Sequence, residues 1–375
     1  MTAAIITLGI LAAFGAPGTQ AVTAGSTRTL GEATEQYRGL DRDDAVATVA
    51  LWTQREVETG AQGLLEAVEA AARAEHATPE EVARGEDTLV AAAALLSDAA
   101  LRALRQGDRR RTRWDLQAAA RLVHATRKSG GHVAFTRRFY LLAGLMLHGM
   151  GDLAGAYDML SEGRRQLEDD AELQLALGAV CETIAALRVY ELPVEPRRPS
   201  DSRDEPRFVI EGQPDEGGPL PATNAADAQA LYARALREDS GLLEAHLRLG
   251  RVLLLRGRPR EALPELERVA REAPRPAQCY MARLFEGRTR ERLDDLPGAA
   301  AAFAAAVERV PQAQSGLVAL GRALDRMGEG TRAQEAFDRA LLRREEAPPD
   351  PWLDYITGQP ERIEALVEEL RGLAP

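Results

Sequence analysis

Apolar positions recur along this chain at helical spacing. Residues 41–58, 61–76, 80–105 and 112–128 are rich in Ala and Leu and read as helices. Near the other end, Pro360 opens a segment over 361–373 in which Ile363, Leu366, Val367 and Leu370 share one helical face. The stretch between carries a period. With Gly250, Gly287 and Gly321 as anchors, separated by 37 and 34 positions, Ala262, Ala299 and Ala333 each stand twelve residues on. Leu266, Phe303 and Phe337 stand sixteen on, and Val269, Ala306 and Ala340 nineteen on. Pro274 and Pro311 follow the first two anchors by twenty-four. The chain has only 7 phenylalanines, so two at one offset weigh more than the alanines do. The period predicts stacked helical hairpins, with a small residue where each pair of helices crosses. Gly257 and Gly328 fall between the two helices, where a left-handed turn is expected.

The same offsets run upstream in fainter form. Gly144 is followed by Gly151 at the turn, Ala156 and Leu160, and then by Gly178, 34 positions on. From Gly178 the second-helix alanine is due at 190. It stands at Ala228, with Tyr232 and Ala235 in phase, so the spacing predicts an insertion of 38 residues. Seven prolines between Pro193 and Pro221, and the charge of 191–216, read as loop or linker. Within it, Arg207-Phe208-Val209-Ile210 reads as plain linker or as a docking peptide. The expected organisation is a signal-like segment at 1–24, degenerate helical repeats over 28–190, the Pro-rich insert or linker at 191–224, repeats over 225–346, and a helix within 347–375 capping the last repeat. Asp350-Pro351-Trp352 reads as a bend with an anchoring aromatic.

Leu249-Gly250 and Leu320-Gly321, with Ala299-x3-Phe303 and Ala333-x3-Phe337, resemble the tetratricopeptide repeat, whose 34-residue unit has Leu-Gly in its first helix and Ala-x3-Phe in its second. Glu286-Gly287 departs from the pair, and the first-helix Trp and Tyr are replaced, for example by His246 and Leu253. The resemblance covers 225–346. It implies an all-α solenoid and a non-catalytic scaffold that captures a protein or peptide segment in a groove. The alternative is an accessory or regulatory helical-repeat subunit of an enzyme complex. In this family the first-helix face lines the groove, and one residue past each anchor stands an arginine: Arg251, Arg288 and Arg322. Arg292 and Arg326 lie four further on, hence on the same face. Such a ladder suits carboxylates, because each guanidinium donates a bidentate fork, so an acidic segment is the expected partner. Leu247, Leu254 and Leu284 are the apolar groove residues expected to supply burial. The competing reading of the arginines is local pairing, for instance with Glu291 and Asp325.

Composition narrows the picture. Of 375 residues, 68 are Ala and 5% are aromatic, which favours close-packed helices over a sandwich or barrel. The net charge of −11 argues against a nucleic-acid partner. Only Lys128 among the 47 basic residues is lysine, which reads as the bias of a high-GC bacterial genome and leaves no P-loop or Schiff-base lysine. An uncharged run over 3–16, then Pro17-Gly18 and small residues at Thr19/Ala21 or Val22/Ala24, reads as an export signal although no basic residue precedes it. It is shorter than the ~20 residues a membrane span requires. A periplasmic or secreted address is expected, a cytoplasmic one the alternative; oligomeric state stays open. Cys181 and Cys279 are expected as buried or semi-buried free thiols.

No zinc, redox, nucleophile-elbow or dinucleotide motif is present, so no catalytic, cofactor or metal residue is assigned. The enzyme alternative would centre on His124, His132 and His148, beside a basic stretch from Arg102 to Arg138 that carries 11 cations against Asp108 and Asp115. That stretch reads as balanced by the acidic segment before it, or as a patch for an anionic partner.

Overall fold

The computed structural model describes residues 29–39, 41–74, 77–126, 132–167, 169–190, 220–342, 350–357 and 360–375. The signal-like segment at 1–24 and the Arg207–Ile210 stretch lie outside them. The described residues form seventeen helices and no strand. In chain order these are α1 (Leu30–Arg38), α2 (Arg42–Val49), α3 (Gln54–Ala72), α4 (Pro79–Arg105), α5 (Arg109–Ala125), α6 (Val133–Gly149), α7 (Leu153–Gln166), α8 (Ala171–Tyr190), α9 (Ala225–Glu238), α10 (Leu243–Leu255), α11 (Pro259–Glu272), α12 (Pro276–Arg292), α13 (Leu296–Arg309), α14 (Gln314–Arg326), α15 (Gly330–Leu341), α16 (Pro351–Thr357) and α17 (Pro360–Leu373). Two compact units divide them: α1–α7 with α17, and α8–α16. The boundary falls near residue 168 and not at the insert, because α8 and α9, on either side of 191–224, form one hairpin.

One turn recurs. Seven residues past each anchor the backbone enters the left-handed region, at Gly151 (φ 83°), Gly257 (φ 70°), Asp294 (φ 61°) and Gly328 (φ 81°). The next N–H then reaches back five residues: Asp152 to the Leu147 carbonyl, Arg258 to Leu253, Asp295 to Arg290 and Glu329 to Leu324, each at 2.9 or 3.0 Å. This bond satisfies a helix-terminal carbonyl and turns the chain into the second helix. The α4–α5 hairpin closes identically, with Gly107 (φ 77°) and an Asp108–Ala103 bond of 3.0 Å. Its anchor position is Ala100, with Leu116 sixteen on, so it is a repeat that a search for glycine passes over.

In the second unit the hairpins α8–α9, α10–α11, α12–α13 and α14–α15 stack in order. Each anchor glycine abuts the large residue of the partner helix. A Cβ on Gly250 would lie 2.6 Å from Leu266, on Gly287 2.4 Å from Phe303, on Gly321 2.6 Å from Phe337 and on Gly178 2.5 Å from Tyr232. In the first unit, Gly144 meets Leu160 in the same way. Cys181 and Cys279 are buried and are not joined in a disulfide.

In the first unit, α1–α3 pack on α4 and α5, and α4 is covered on every side from Leu89 to Leu101, with Ala91, Ala92 and Ala93 sealed from water. The last helix departs from expectation. Ile363, Leu366, Val367 and Leu370 of α17 are buried as one face, but against α6 and α4 of the first unit and not on the last repeat. Ion pairs flank that buried face: Glu364 pairs with Arg105 at 2.6 Å and Glu369 with Arg138 at 2.7 Å, while Arg371 meets Asp98 at 2.9 Å. Arg113 pairs with Asp152, and the buried Arg111 with Asp115. Much of the basic stretch is thus matched inside its own unit.

Candidate protein-interaction site

Glu182 is the centre of the second unit. Its carboxylate is buried on α8, where an ion is stable only if fully matched. Tyr232 donates to it at 2.5 Å and Tyr355 at 2.8 Å, Arg248 approaches at 3.3 Å, and Arg251 donates to Oε1. Burial alone would raise this carboxyl, but the Arg251 and Arg248 guanidiniums and the two phenols outweigh it and hold it below the usual range. Burial, then the Glu182 charge, raises the Tyr232 and Tyr355 hydroxyls, which stay protonated donors. Arg248 also pairs with Glu244 at 2.8 Å, and Gln278 donates to the second Glu244 oxygen at 3.0 Å. Two carboxylates therefore balance two guanidiniums on the floor formed by α8, α10 and α12.

Onto this floor folds α16. With Asp350 just before it, the short helix reaches the first helix of every hairpin in the unit: Glu182 of α8, Arg248 and Arg251 of α10, Phe285 of α12 and Ser315 of α14. The Trp352 and Tyr355 rings stack at 6.0 Å with 11° between planes, and Phe285 meets both edge-on. The Arg251 guanidinium lies 5.1 Å from the Trp352 centroid and 5.2 Å from that of Tyr355; Arg248 lies 4.2 Å from Tyr355. Partly desolvated contacts of this kind contribute about 0.5–2 kcal/mol each. At the other end, the Asp350 carboxylate accepts from the Ser315 N–H at 2.7 Å and from the Trp352 N–H at 3.0 Å. Ser315 is in the first turn of α14, whose N-cap, Ala313, has no side chain able to accept. An anion is favoured there by the free N–H groups and the helix dipole. Tyr280 joins the same point, donating to Asp350 at 3.4 Å while accepting from the Gly316 N–H at 2.8 Å.

The side chains singled out in the sequence separate into two sets. Arg251 is not an open rung: its side chain is 11% exposed, its carboxylate partner is the internal Glu182, and aromatic rings cover it. Leu247 and Leu284 are buried in the core cluster that includes Tyr355, with Leu254 packed against it, so these three line a filled face and not an open groove. Arg288, Arg292, Arg322 and Arg326 remain toward water. Arg288 pairs with Glu291 at 3.3 Å and lies over Phe303; Arg326 reaches the same Glu291 from α14 at 3.3 Å. Arg292 and Arg322 are exposed and make no ion pair among the described residues. Nothing in the sequence marks Glu182, Tyr232, Arg248 or Tyr355 as site residues, whereas the Asp350-Pro351-Trp352 bend does point to Trp352 as an anchor.

The first unit has a cleft of about 510 Å³ lined by residues including Leu65, Arg113, Tyr140, His124 and Glu162. The Gln166 amide, bonded to Glu162 at 2.8 Å, lowers that carboxyl, so it is held ionised and is not tuned as an acid. His132 faces Asp87 at 3.3 Å and His148 is buried, so the three histidines occupy separate settings. Among the described residues no cluster of His, Cys, Asp and Glu could hold a metal, and no helix is long and apolar enough to cross a membrane.

Residues 222–284, spanning α9, α10, α11 and the start of α12, match the tetratricopeptide repeat family model. The chain carries tetratricopeptide repeats. TPR proteins also stand among similar solved structures. MamA from Desulfovibrio magneticus RS-1 is 19% identical, with 55% of this chain covering 93% of that one at a TM-score of 0.40. Another MamA structure is 17% identical over 52% of this chain and 91% of its own, at 0.38. YrrB, described as a TPR protein with an unusual peptide-binding site, is 17% identical over 56% of this chain and 86% of its own, at 0.37. At those scores the assignment rests on the family match and on the TPR hairpin geometry. No curated protein matches the chain.

Proposed function

We propose that the chain is a non-catalytic interaction scaffold of the bacterial cell envelope, whose carboxyl-terminal TPR hairpins capture a segment of another protein on their first-helix face. One observation carries this reading: that face already holds a peptide-sized segment, Asp350 and α16, through side chains of α8, α10 and α12 and a backbone N–H of α14. Arg288, Arg292, Arg322 and Arg326 supply orientation and salt-sensitive attraction for an acidic partner segment, since exposed guanidiniums fork to carboxylates. The uncharged run over 3–16 with its small-residue sites supports export.

The test is cross-linking in envelope extract from a photoreactive residue placed at position 292 or 322, beside a chain carrying R288E and R326E. A partner trapped by the first and lost, at unchanged helicity, by the second supports the reading. A partner trapped equally by both removes the arginines from it. N-terminal sequencing of native material decides the address: cleavage after Ala21 or Ala24 is expected, and an intact start overturns export.

A further inference from the structure

Resting on the scaffold reading, we infer that the first-helix face recognises a short helical segment bearing a carboxylate, an aromatic two residues on and a tyrosine three beyond that, and that residues 350–357 are a resident occupant which a partner segment of the same chemistry displaces. The recognition elements are spaced along one turn and a half. Asp350 accepts from the Ser315 N–H at the start of α14, Trp352 lies under Arg251 and meets Phe285 edge-on, and Tyr355 donates to Glu182. The carboxylate is selected because Ala313 leaves α14 without a side-chain cap. The tyrosine is selected because Glu182 accepts a phenol, and the tryptophan because a guanidinium favours the largest π-face.

Exchange requires that the floor survive without its occupant, and the polar network meets that condition. If α16 lifts away, Glu182 keeps Tyr232, Arg248 and Arg251, and Glu244 keeps Arg248 and Gln278. No buried ion is left uncompensated, which is the circumstance that would lock the segment in place. The occupant is itself only seven residues of helix, too short to persist without the surface that holds it. It behaves as a bound peptide that happens to be tethered. The tether keeps its local concentration in the millimolar range, so a partner must out-compete it and its apparent affinity is reduced by the closed fraction.

The experiment titrates the free peptide Asp-Pro-Trp-Leu-Asp-Tyr-Ile-Thr, acetylated and amidated, into three full-length chains: wild type, W352A/Y355A and D350N/W352A. The last keeps the Tyr355–Glu182 bond in case losing it disturbs folding; circular dichroism and cooperative unfolding confirm each variant. Binding at least tenfold tighter to the folded variants than to wild type is expected. A peptide with Asn for its first Asp is expected to bind about tenfold more weakly, and one with Ala for Trp and Tyr not to bind. No binding to either folded variant, or equal binding to all three chains, overturns the inference. The scaffold reading fails separately: a partner trapped through the arginines while the peptide never binds sinks only the exchange, and peptide exchange with no envelope partner sinks only the scaffold.

Discussion

Gly178 and Tyr232 stand 54 positions apart in the chain, yet they meet as Gly250 meets Leu266 at sixteen. A Cβ on Gly178 would sit 2.5 Å from the Tyr232 ring. The 38 additional residues are therefore housed inside a repeat, where they lengthen α8 to Tyr190 and make the connection to α9, and the crossing is preserved across them. Tyr232 gains a second task there, because its hydroxyl reaches on to Glu182.

The crossing glycines set the sign of a simple substitution. Gly-to-Ala inside a helix ordinarily stabilises by about 1 kcal/mol. At Gly287 the new methyl would lie 2.4 Å from the Phe303 ring, and overpacking of that kind costs about 1–3 kcal/mol. Net destabilisation is expected for Gly287→Ala in urea unfolding, and Gly287→Ala/Phe303→Ala is expected to lose less than the sum of its parts. Strict additivity would show that the ring yields freely.

Glu182→Gln leaves Arg248 with the partly buried Glu244 and takes from Arg251 its carboxylate partner. Removing one member of a matched buried set costs about 3–5 kcal/mol. Tyr355→Phe deletes a single hydrogen bond to a charged group and is expected to cost about 1.5–3 kcal/mol. Unfolding midpoints of the second unit, ranked wild type, Tyr355→Phe, Glu182→Gln, check the order; equal midpoints would mean that water has replaced the network.

If the insert interrupts an ordinary hairpin, it can be removed. Deleting residues 186–223 and changing Ala185 to Gly places a left-handed turn seven residues past Gly178 and the capping residue Asn224 eight past it, as in the other hairpins. Shortening the connection is expected to add about 2 kcal/mol of stability through loop closure. Loss of cooperative unfolding would instead give the insert a packing role.

His246 supplies a pH dependence. Its hydrogen bond to Glu265, at 2.5 Å, raises the imidazole above its ordinary value, opposed by partial burial and by Arg268 and aided by the Ser240 carbonyl. Folding thus takes up a proton at this site, and the contribution is complete below about pH 6.5 and is lost as pH rises through the higher folded value. Urea midpoints are expected to fall between pH 6 and 9, with a shallower slope in His246→Gln. Coincident slopes would mean that the Glu265 contact does not form in solution.

The hairpins, their crossings and the insertion are all written in the residue order. A helix pair can approach closely only where one side is bare, and that steric demand binds positions a fixed sixteen residues apart, so it is written locally. It was written less clearly at α4–α5, where Ala100 does the work of glycine and only the Gly107-Asp108 turn betrays the repeat. The burial of Ile363, Leu366, Val367 and Leu370 was equally legible from helical spacing, but not what they would face. Only the tertiary structure decided that α17 packs on α4 and α6, that Arg251 is answered by Glu182, 69 positions away, and that Tyr355, 173 positions from the same carboxylate, closes the face. Those partners depend on where long connections deliver a helix. Among 58 acidic residues, nothing in the residues around Glu182 marks it as the one that will be buried between two guanidiniums.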